Sequence, residues 1–310
     1  MTRISDVPSC VRSSRRRGFA LPDLLVVLVT GAILVCFLLL ARSLTKHKGT
    51  VSTCLNNSRQ LITAWSLYAA DHEDQCVNNY DPALILEEIK SGKLRNWANN
   101  VMTWGVARTL KDKSNTNADW LKNGALRAYT QAGVQLYKCP ADVFLSDRQK
   151  EAGWMARLRS VSMSAYLGPY SDALNEKSVT RNRFDTAYSQ FRKLSGIPQP
   201  AMTFVMIDEN PNSINDGWYL NTRGSAKGWN DVPASYHDGA GVLSFADGHA
   251  ESHQWLGCWM NDAIVKTVPN RDYRSDAVKF SDAQGRQDFD WLWARTSVPF
   301  NPPQPEHPAN

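Results

Sequence analysis

One long apolar segment stands out in a chain that is otherwise polar and broken into short apolar runs. Residues 21–41 are almost uninterrupted Leu, Val, Ile, Ala and Phe. A helix of this length, at ~1.5 Å per residue, covers the ~30 Å core of a bilayer. A cleavable signal peptide is disfavoured, because its apolar part is only ~7–15 residues and no small-residue cleavage site follows Ala41. The segment therefore predicts a single-pass membrane helix.

The basic residues before this segment set its predicted orientation. Positive charge collects on the cytoplasmic side of a membrane helix, and four arginines lie at positions 12, 15, 16 and 17. We expect a single-pass membrane protein with its N-terminus in the cytoplasm and its globular part outside the cytoplasm. The net charge of +5 rests largely on this leader, so no nucleic-acid partner is expected.

Beyond the apolar segment, the pattern predicts a continued helix followed by a β-rich domain. Apolar or small residues recur at helical spacing on one face, namely Cys54, Ser58, Leu61, Ile62, Trp65 and Tyr68. Strand-like runs follow at 203–207, 218–220 and 241–246. Asp247-Gly248 then predicts a type I′ hairpin, in which both turn residues have positive φ. The fold class is α+β: a long N-terminal helix, its lower half transmembrane, packed on an antiparallel sheet with large loop insertions.

These elements divide the chain into four parts. Residues 1–18 form a basic leader, 19–70 the stem and amphipathic helix, 71–300 the extracytoplasmic domain, and 301–310 a tail with four prolines that we expect to be disordered.

The leader carries the most specific motif. The run from Arg15 through Gly18-Phe19 to Asp23 resembles the type IV prepilin signal, although Asp23 stands where that family usually has Glu and Pro22 precedes it. The resemblance implies cleavage after Gly18 by a prepilin peptidase and methylation of the Phe19 amine. It also implies that Asp23 pairs with the amino terminus of a neighbouring subunit, because an unpaired carboxylate in an apolar core is costly.

A second resemblance spans much of the domain. His237 is followed after nine residues by Asp247-Gly248, which resembles the H-x9-DG element of large pilin-like proteins from the Planctomycetes–Verrucomicrobia group. The resemblance implies a structural subunit of a type IV pilus or of a type II secretion-like pseudopilus, and not an enzyme. Its implied partners are other pilin-like subunits, the prepilin peptidase and methyltransferase, and the membrane assembly machinery. Its implied location is the bacterial inner membrane, with the globular domain in the periplasm or in an extracellular filament.

Four of the six cysteines fall in the predicted extracytoplasmic part, at positions 54, 76, 139 and 258. Three full pairings are open to them. Two further segments, Cys54-Leu55-Asn56-Asn57 and Tyr137-Lys138-Cys139-Pro140, resemble the same pilin-like proteins. We predict a disulfide between Cys54 and Cys139, because both lie in these segments.

Residue types and their spacing also suggest candidate metal and catalytic sites. No cofactor is required, but Asp208, Glu209, Asp216 and Asp247 are candidate calcium ligands, because Ca²⁺ takes six to eight oxygens. A zinc site from His237, His249 and His253 lacks a recognised ligand spacing. Ser235, His237 and Asp208 lack the sequence context of a hydrolytic triad.

Two alternative functions remain open. A membrane-anchored carbohydrate-binding protein would present the late tryptophans, at positions 255, 259, 291 and 293, as an exposed coplanar patch. An envelope hydrolase would place His237 in a cleft with a nucleophile or a metal. Packing of the tryptophans in the core is the simpler expectation.

Overall fold

The structure, a computed structural model, describes residues 21–106, 109–131, 133–170, 179–224, 228–257, 278–280 and 282–300. The predicted cleavage site at Gly18 and Phe19 and the tail 301–310 lie outside these residues, as does the side chain of Asp23. The chain forms two compact units, Met1–His47 and Lys48–Asn310.

Helix α1 extends from Leu21 to Asp71. Pro22 lies in its first turn, where a missing N–H costs nothing. Within the part of the chain that the structure describes, no helix has both the length and the apolarity needed to cross a bilayer. The prediction that the lower half of the stem is transmembrane is therefore wrong for the described residues.

The later part of α1 has the predicted amphipathic face. Leu61, Ile62, Trp65 and Ala69 are fully buried, whereas Leu67 on the other side is exposed. Because residues three and four apart share a helix face, this spacing turns one stripe towards the domain. The predicted helical pattern is confirmed here.

The domain is built on a five-stranded sheet with the order β5-β1-β4-β7-β8. Its strands are β1 (Val161–Ser164), β4 (Phe204–Asp208), β5 (Trp218–Tyr219), β7 (Ala240–Phe245) and β8 (Ala250–Gln254). Three pairings are antiparallel, but β5 runs parallel to β1. The sheet is thus mixed, and the prediction of an antiparallel sheet is corrected. The long connection from β1 to β5 permits this, since a parallel neighbour needs a crossover of a dozen or more residues.

Two pairs of short strands form separate two-stranded sheets. These are β2 (Val179–Arg181) with β3 (Ser189–Phe191), and β6 (Gly228–Trp229) with β9 (Val278–Lys279). The short helices are α2 (Pro82–Ser91), α3 (Leu110–Lys113), α4 (Asp119–Lys122), α5 (Arg127–Thr130) and α6 (Asp147–Glu151). The last helix, α7, spans Ala283–Trp293, and 3₁₀ turns occupy Val134–Tyr137, Leu194–Gly196 and Pro200–Met202.

Both faces of the central sheet are buried. Val205 and Met206 of β4 pack in the cluster that contains Trp65 of α1, while Phe204 and Ile207 pack with the aromatic residues of α7. A register shift between Phe204 and Met206 explains why two consecutive residues share one face. After this irregularity the usual alternation resumes, which places Asp208 on the α1 side of the sheet.

Candidate metal centre

Four buried side chains meet on the α1 side of the sheet. They are Cys54, Cys139, Asp208 and His237, and their ligand atoms all lie within 4.8 Å of one another. None of the four is more than 3% exposed. The Cys54 thiol donates to Asp208 Oδ2 at 3.0 Å, and Cys139 Sγ lies 3.3 Å from His237 Nε2. We call these four residues the buried cluster.

Each member of the buried cluster comes from a different part of the fold. Cys54 lies on α1, and Asp208 is the last residue of β4, where it pairs in register with Val161 of β1. Cys139 follows the 3₁₀ turn at Val134–Tyr137, and its backbone N–H donates to Ser160 Oγ at 2.8 Å. Backbone pairing and helix packing therefore hold the side chains in place.

A tight turn before β7 positions His237. His237 and Ala240 exchange backbone hydrogen bonds of 3.2 and 3.0 Å. The two residues between them have positive φ, 53° for Asp238 and 88° for Gly239, as in a type I′ turn. This Asp-Gly pair was not singled out in the sequence, although it has the composition that favours such a turn.

Apolar packing surrounds the buried cluster and leaves little space in it. Val242 of β7 packs directly against Cys54 and Cys139. A cavity of about 10 Å³ lies beside them, which is room for one water-sized atom. A substrate cannot enter a space of this size, so the cleft that an envelope hydrolase would need at His237 is not found at the buried cluster.

Burial makes charged forms costly at this site. Burial raises the pKa of Asp208 to about 7. Hydrogen bonds from Cys54, the Val242 backbone and Ser160 lower this pKa, but burial has the larger effect. The pKa of the Cys54 thiol is raised by its hydrogen bond with Cys139, then by burial and by the Asp208 charge. Burial also lowers the pKa of Lys138, which lines the cavity. Without a bound cation, the Cys54 thiol is held in its protonated form.

The predicted calcium ligands do not converge. Among the described residues, one group of Cys, His and acidic side chains is close enough to hold an ion, and it shares only Asp208 with the predicted set. Asp216 Oδ1 accepts the Trp218 N–H at 2.7 Å, and Asp247 lies in an exposed turn. Glu209 is fully buried, and burial raises its pKa to about 8. The charges of Glu209 and Asp216 interact, but the four predicted carboxylates do not form one group within ligand distance, so the structure does not support the calcium hypothesis.

The three histidines considered as a zinc site from the sequence are also separated. His249 Nδ1 lies 2.6 Å from Asp247 Oδ1, and its ring stacks on Phe245. His253 stacks on Trp291 with 3.5 Å between ring centroids. Neither ring joins His237 in the buried cluster.

The hairpin between β7 and β8 is confirmed, but its turn differs from the predicted type I′. Gly248 has φ of 95°, whereas Asp247 keeps a negative φ. The Gly248 N–H donates to Phe245 O, and the Phe245 N–H donates to His249 O, both at 2.9 Å. This pattern is a type I turn followed by a left-handed glycine, the usual three-residue hairpin loop.

Cys54 and Cys139 are brought together as predicted, but the structure contains both as free thiols and not as a disulfide. All four members of the buried cluster were candidates from the sequence, but the two cysteines were assigned to a disulfide, Asp208 to a calcium site and His237 to a family motif. No short ligand spacing such as C-x2-C connects them, because each lies on a different element. A joint role was therefore not visible in the sequence.

The late tryptophans that the structure describes pack in the core or against it. Trp255 and Trp293 are buried, and the rings of Trp255 and Trp291 meet edge to face at 85°. Trp259 lies outside the described residues. In the described part of the chain these rings do not form the coplanar exposed platform that the carbohydrate-binding alternative requires.

No family model, curated protein or solved structure matches the chain. The pilin-like resemblance therefore stays a prediction from the sequence motifs.

Proposed function

We propose that the chain is a structural subunit of a pilus or pseudopilus-like filament, in which the first part of α1 packs against the same helix of neighbouring copies. The observation that carries this proposal is the exposure of the apolar residues between Leu21 and Phe37. Eleven large apolar side chains there are between 49% and 79% exposed. An apolar surface of this extent in water marks an interaction site.

The exposed residues lie on all sides of the helix. Leu24, Leu25, Val26, Val27 and Leu28 are consecutive, and each is at least half exposed. A helix that is apolar all round is stable only when it is surrounded by other apolar surface. A bundle of identical helices supplies such surroundings, whereas one partner would cover a single stripe.

The polar groups of this segment do not oppose such packing. The Thr30 hydroxyl donates to Val26 O at 2.8 Å, within its own helix. Beside it, Gly31 has no atom within 4 Å of where a Cβ would stand, so another helix has room to approach. The processing at Gly18 and Phe19 and the charge pair of Asp23 complete the proposed assembly mechanism, with the prepilin peptidase and assembly machinery as partners.

Intersubunit cross-linking tests the proposal directly. Cys36 is exposed within the same segment, so the full-length chain, produced in a host with a type IV pilus assembly system, should form Cys36–Cys36 cross-links. Leu28→Asp should abolish them, because it buries a charge in the bundle. Leu67→Asp is the matched control, an exposed leucine on the later part of α1. Equal cross-linking of both variants, or none in the unmodified chain, would overturn the proposal.

Mass analysis tests the processing step independently. The mature chain should begin at methylated Phe19. A variant in which Gly18 is replaced should keep the mass of the uncleaved precursor. Normal maturation of the Gly18 variant would contradict the prepilin resemblance.

A further inference from the structure

We propose that the buried cluster binds one Zn²⁺ ion in a closed, structural site that fastens helix α1 to the sheet. The ligand atoms are the two cysteine Sγ atoms, Asp208 Oδ2 and His237 Nε2. This inference goes beyond the filament proposal and does not rest on it, because every residue involved lies in the unit Lys48–Asn310.

The donor set selects the metal. Thiolate, imidazole and carboxylate together are the ligands of zinc, which prefers four of them in a tetrahedron. Calcium takes six to eight hard oxygen ligands, and the buried cluster contains a single carboxylate. Magnesium likewise needs an octahedron of oxygens.

The distances fit after small side-chain rotations. Zinc–ligand bonds of 2.0–2.3 Å place the ligand atoms of a tetrahedron about 3.3–3.8 Å apart. The separations in the buried cluster are 3.0 Å from Cys54 to Asp208, 3.3 Å from Cys139 to His237, and at most 4.8 Å between any two ligand atoms. Four donors already surround one point, and the chain need not be rearranged to enclose an ion.

The burial of all four ligands distinguishes a structural from a catalytic site. A catalytic zinc keeps one position open for water or substrate, whereas here the protein supplies all four donors and the adjacent cavity is only about 10 Å³. Zinc binding would displace the two thiol protons to solvent and leave the site with one negative charge. Lys138, next to Cys139, lines the same cavity.

The competing chemistry is a disulfide between the same two cysteines. A disulfide needs only the two sulfur atoms and gives no reason for a carboxylate and an imidazole to be buried beside them. A single cation would be shared by all four side chains, which fits their convergence on one another. Oxidation to a disulfide and zinc binding exclude each other, so they can be distinguished by experiment.

Metal analysis of the full-length chain is the decisive experiment. The chain is produced with zinc in the medium, purified under a non-chelating reductant, and analysed for zinc, iron and copper. We expect one zinc per chain, and loss of zinc from Cys139→Ser and His237→Gln. Loss of a direct ligand should weaken affinity by more than the ~10–100-fold typical of an outer-shell partner. Cys76→Ser is the matched control, since Cys76 is buried but lies outside the buried cluster, and it should retain one zinc.

A ligand variant that unfolds would also lose zinc, so a second measurement uses the unmodified chain. Zinc is removed with a chelator and Co²⁺ is added, which should give thiolate-to-cobalt charge-transfer absorption and the visible bands of a tetrahedral site. The proposal would be overturned if the native protein contained no zinc or if Cys139→Ser retained it. It would also be overturned if another metal were present at one per chain, or if peptide mapping found a native Cys54–Cys139 disulfide.

Discussion

Two turns flank strand β7, and each contains an Asp-Gly pair. In the first, Asp238 and Gly239 both have positive φ, and the turn places His237 in the buried cluster. In the second, only Gly248 has positive φ, and the turn presents Asp247 to solvent. The same dipeptide therefore marks a chain reversal in both places, while the surrounding pairing decides the conformation of the aspartate.

The two turns also differ in what depends on them. Gly239 is buried beside a residue of the candidate metal centre, whereas Gly248 has no atom within 4 Å of where a Cβ would stand. Backbone strain in the first turn should therefore lower both stability and zinc binding, whereas strain in the second turn should lower stability alone. The following substitutions test this contrast, from the largest expected effect to the smallest.

Gly239→Val should have the largest effect. A β-branched residue is disfavoured at a φ of 88°, and the new side chain must also fit a buried position. We expect the free energy of unfolding to fall by about 2–4 kcal/mol, measured by urea denaturation followed by tryptophan fluorescence. Zinc content should fall with it, because His237 is displaced. Unchanged stability would show that the first turn does not determine the position of His237.

Gly248→Val should destabilise by about 1–2 kcal/mol. The backbone cost is similar, since φ is 95°, but the surrounding space is open. The same denaturation experiment applies, and zinc content should stay that of the unmodified chain. A loss as large as that of Gly239→Val would mean that the two turns do not differ as described.

Asp247→Asn should cost about 0.5–1 kcal/mol at most, as for other exposed ion pairs. Partial burial acts to raise the pKa of Asp247, but the hydrogen bonds and charge of His249 lower it overall. A carboxyl group with a lowered pKa adds stability that is present above its unfolded pKa of ~3.9 and is lost as pH falls through the folded value. The variant should therefore differ from the unmodified chain at pH 7 and converge with it in acid.

The calcium hypothesis makes a different prediction for the same variant. If Asp247 were a calcium ligand, its replacement would matter only with calcium present. Thermal unfolding of both proteins, with added calcium and with a calcium-selective chelator, should show no such dependence.

Asp238→Asn should have the smallest effect, below about 0.5 kcal/mol. Asn tolerates the left-handed region as well as Asp does, and the side chain is exposed. Denaturation curves should overlap. A clear loss would show that the carboxylate itself, and not the turn geometry, holds the loop that carries His237.

Part of this fold follows from local patterns. The spacing of Leu61, Ile62 and Trp65 predicted which face of α1 is buried, and the strand-like runs at 203–207 and 241–246 predicted two central strands. The chain reversal at Asp247-Gly248 was likewise predictable, although not its turn type. These features depend on residues within one or two turns of each other, where side-chain direction follows directly from backbone period.

Other features depend on residues far apart in the chain. The parallel position of β5 beside β1 arises from a long crossover that has no local signal. The buried cluster is of the same kind, because a helix, a strand end, a loop and a turn each contribute one side chain.

By itself, the sequence determined the helical and strand periods, the apolar segment at the start of α1 and the identity of each side chain in the candidate site. Tertiary structure decided that Cys54 and Cys139 lie beside Asp208 and His237, and that Glu209 and Asp216 do not. The physical reason is that periodicity records which face of an element is buried, whereas a metal site depends on which buried faces meet and in what register.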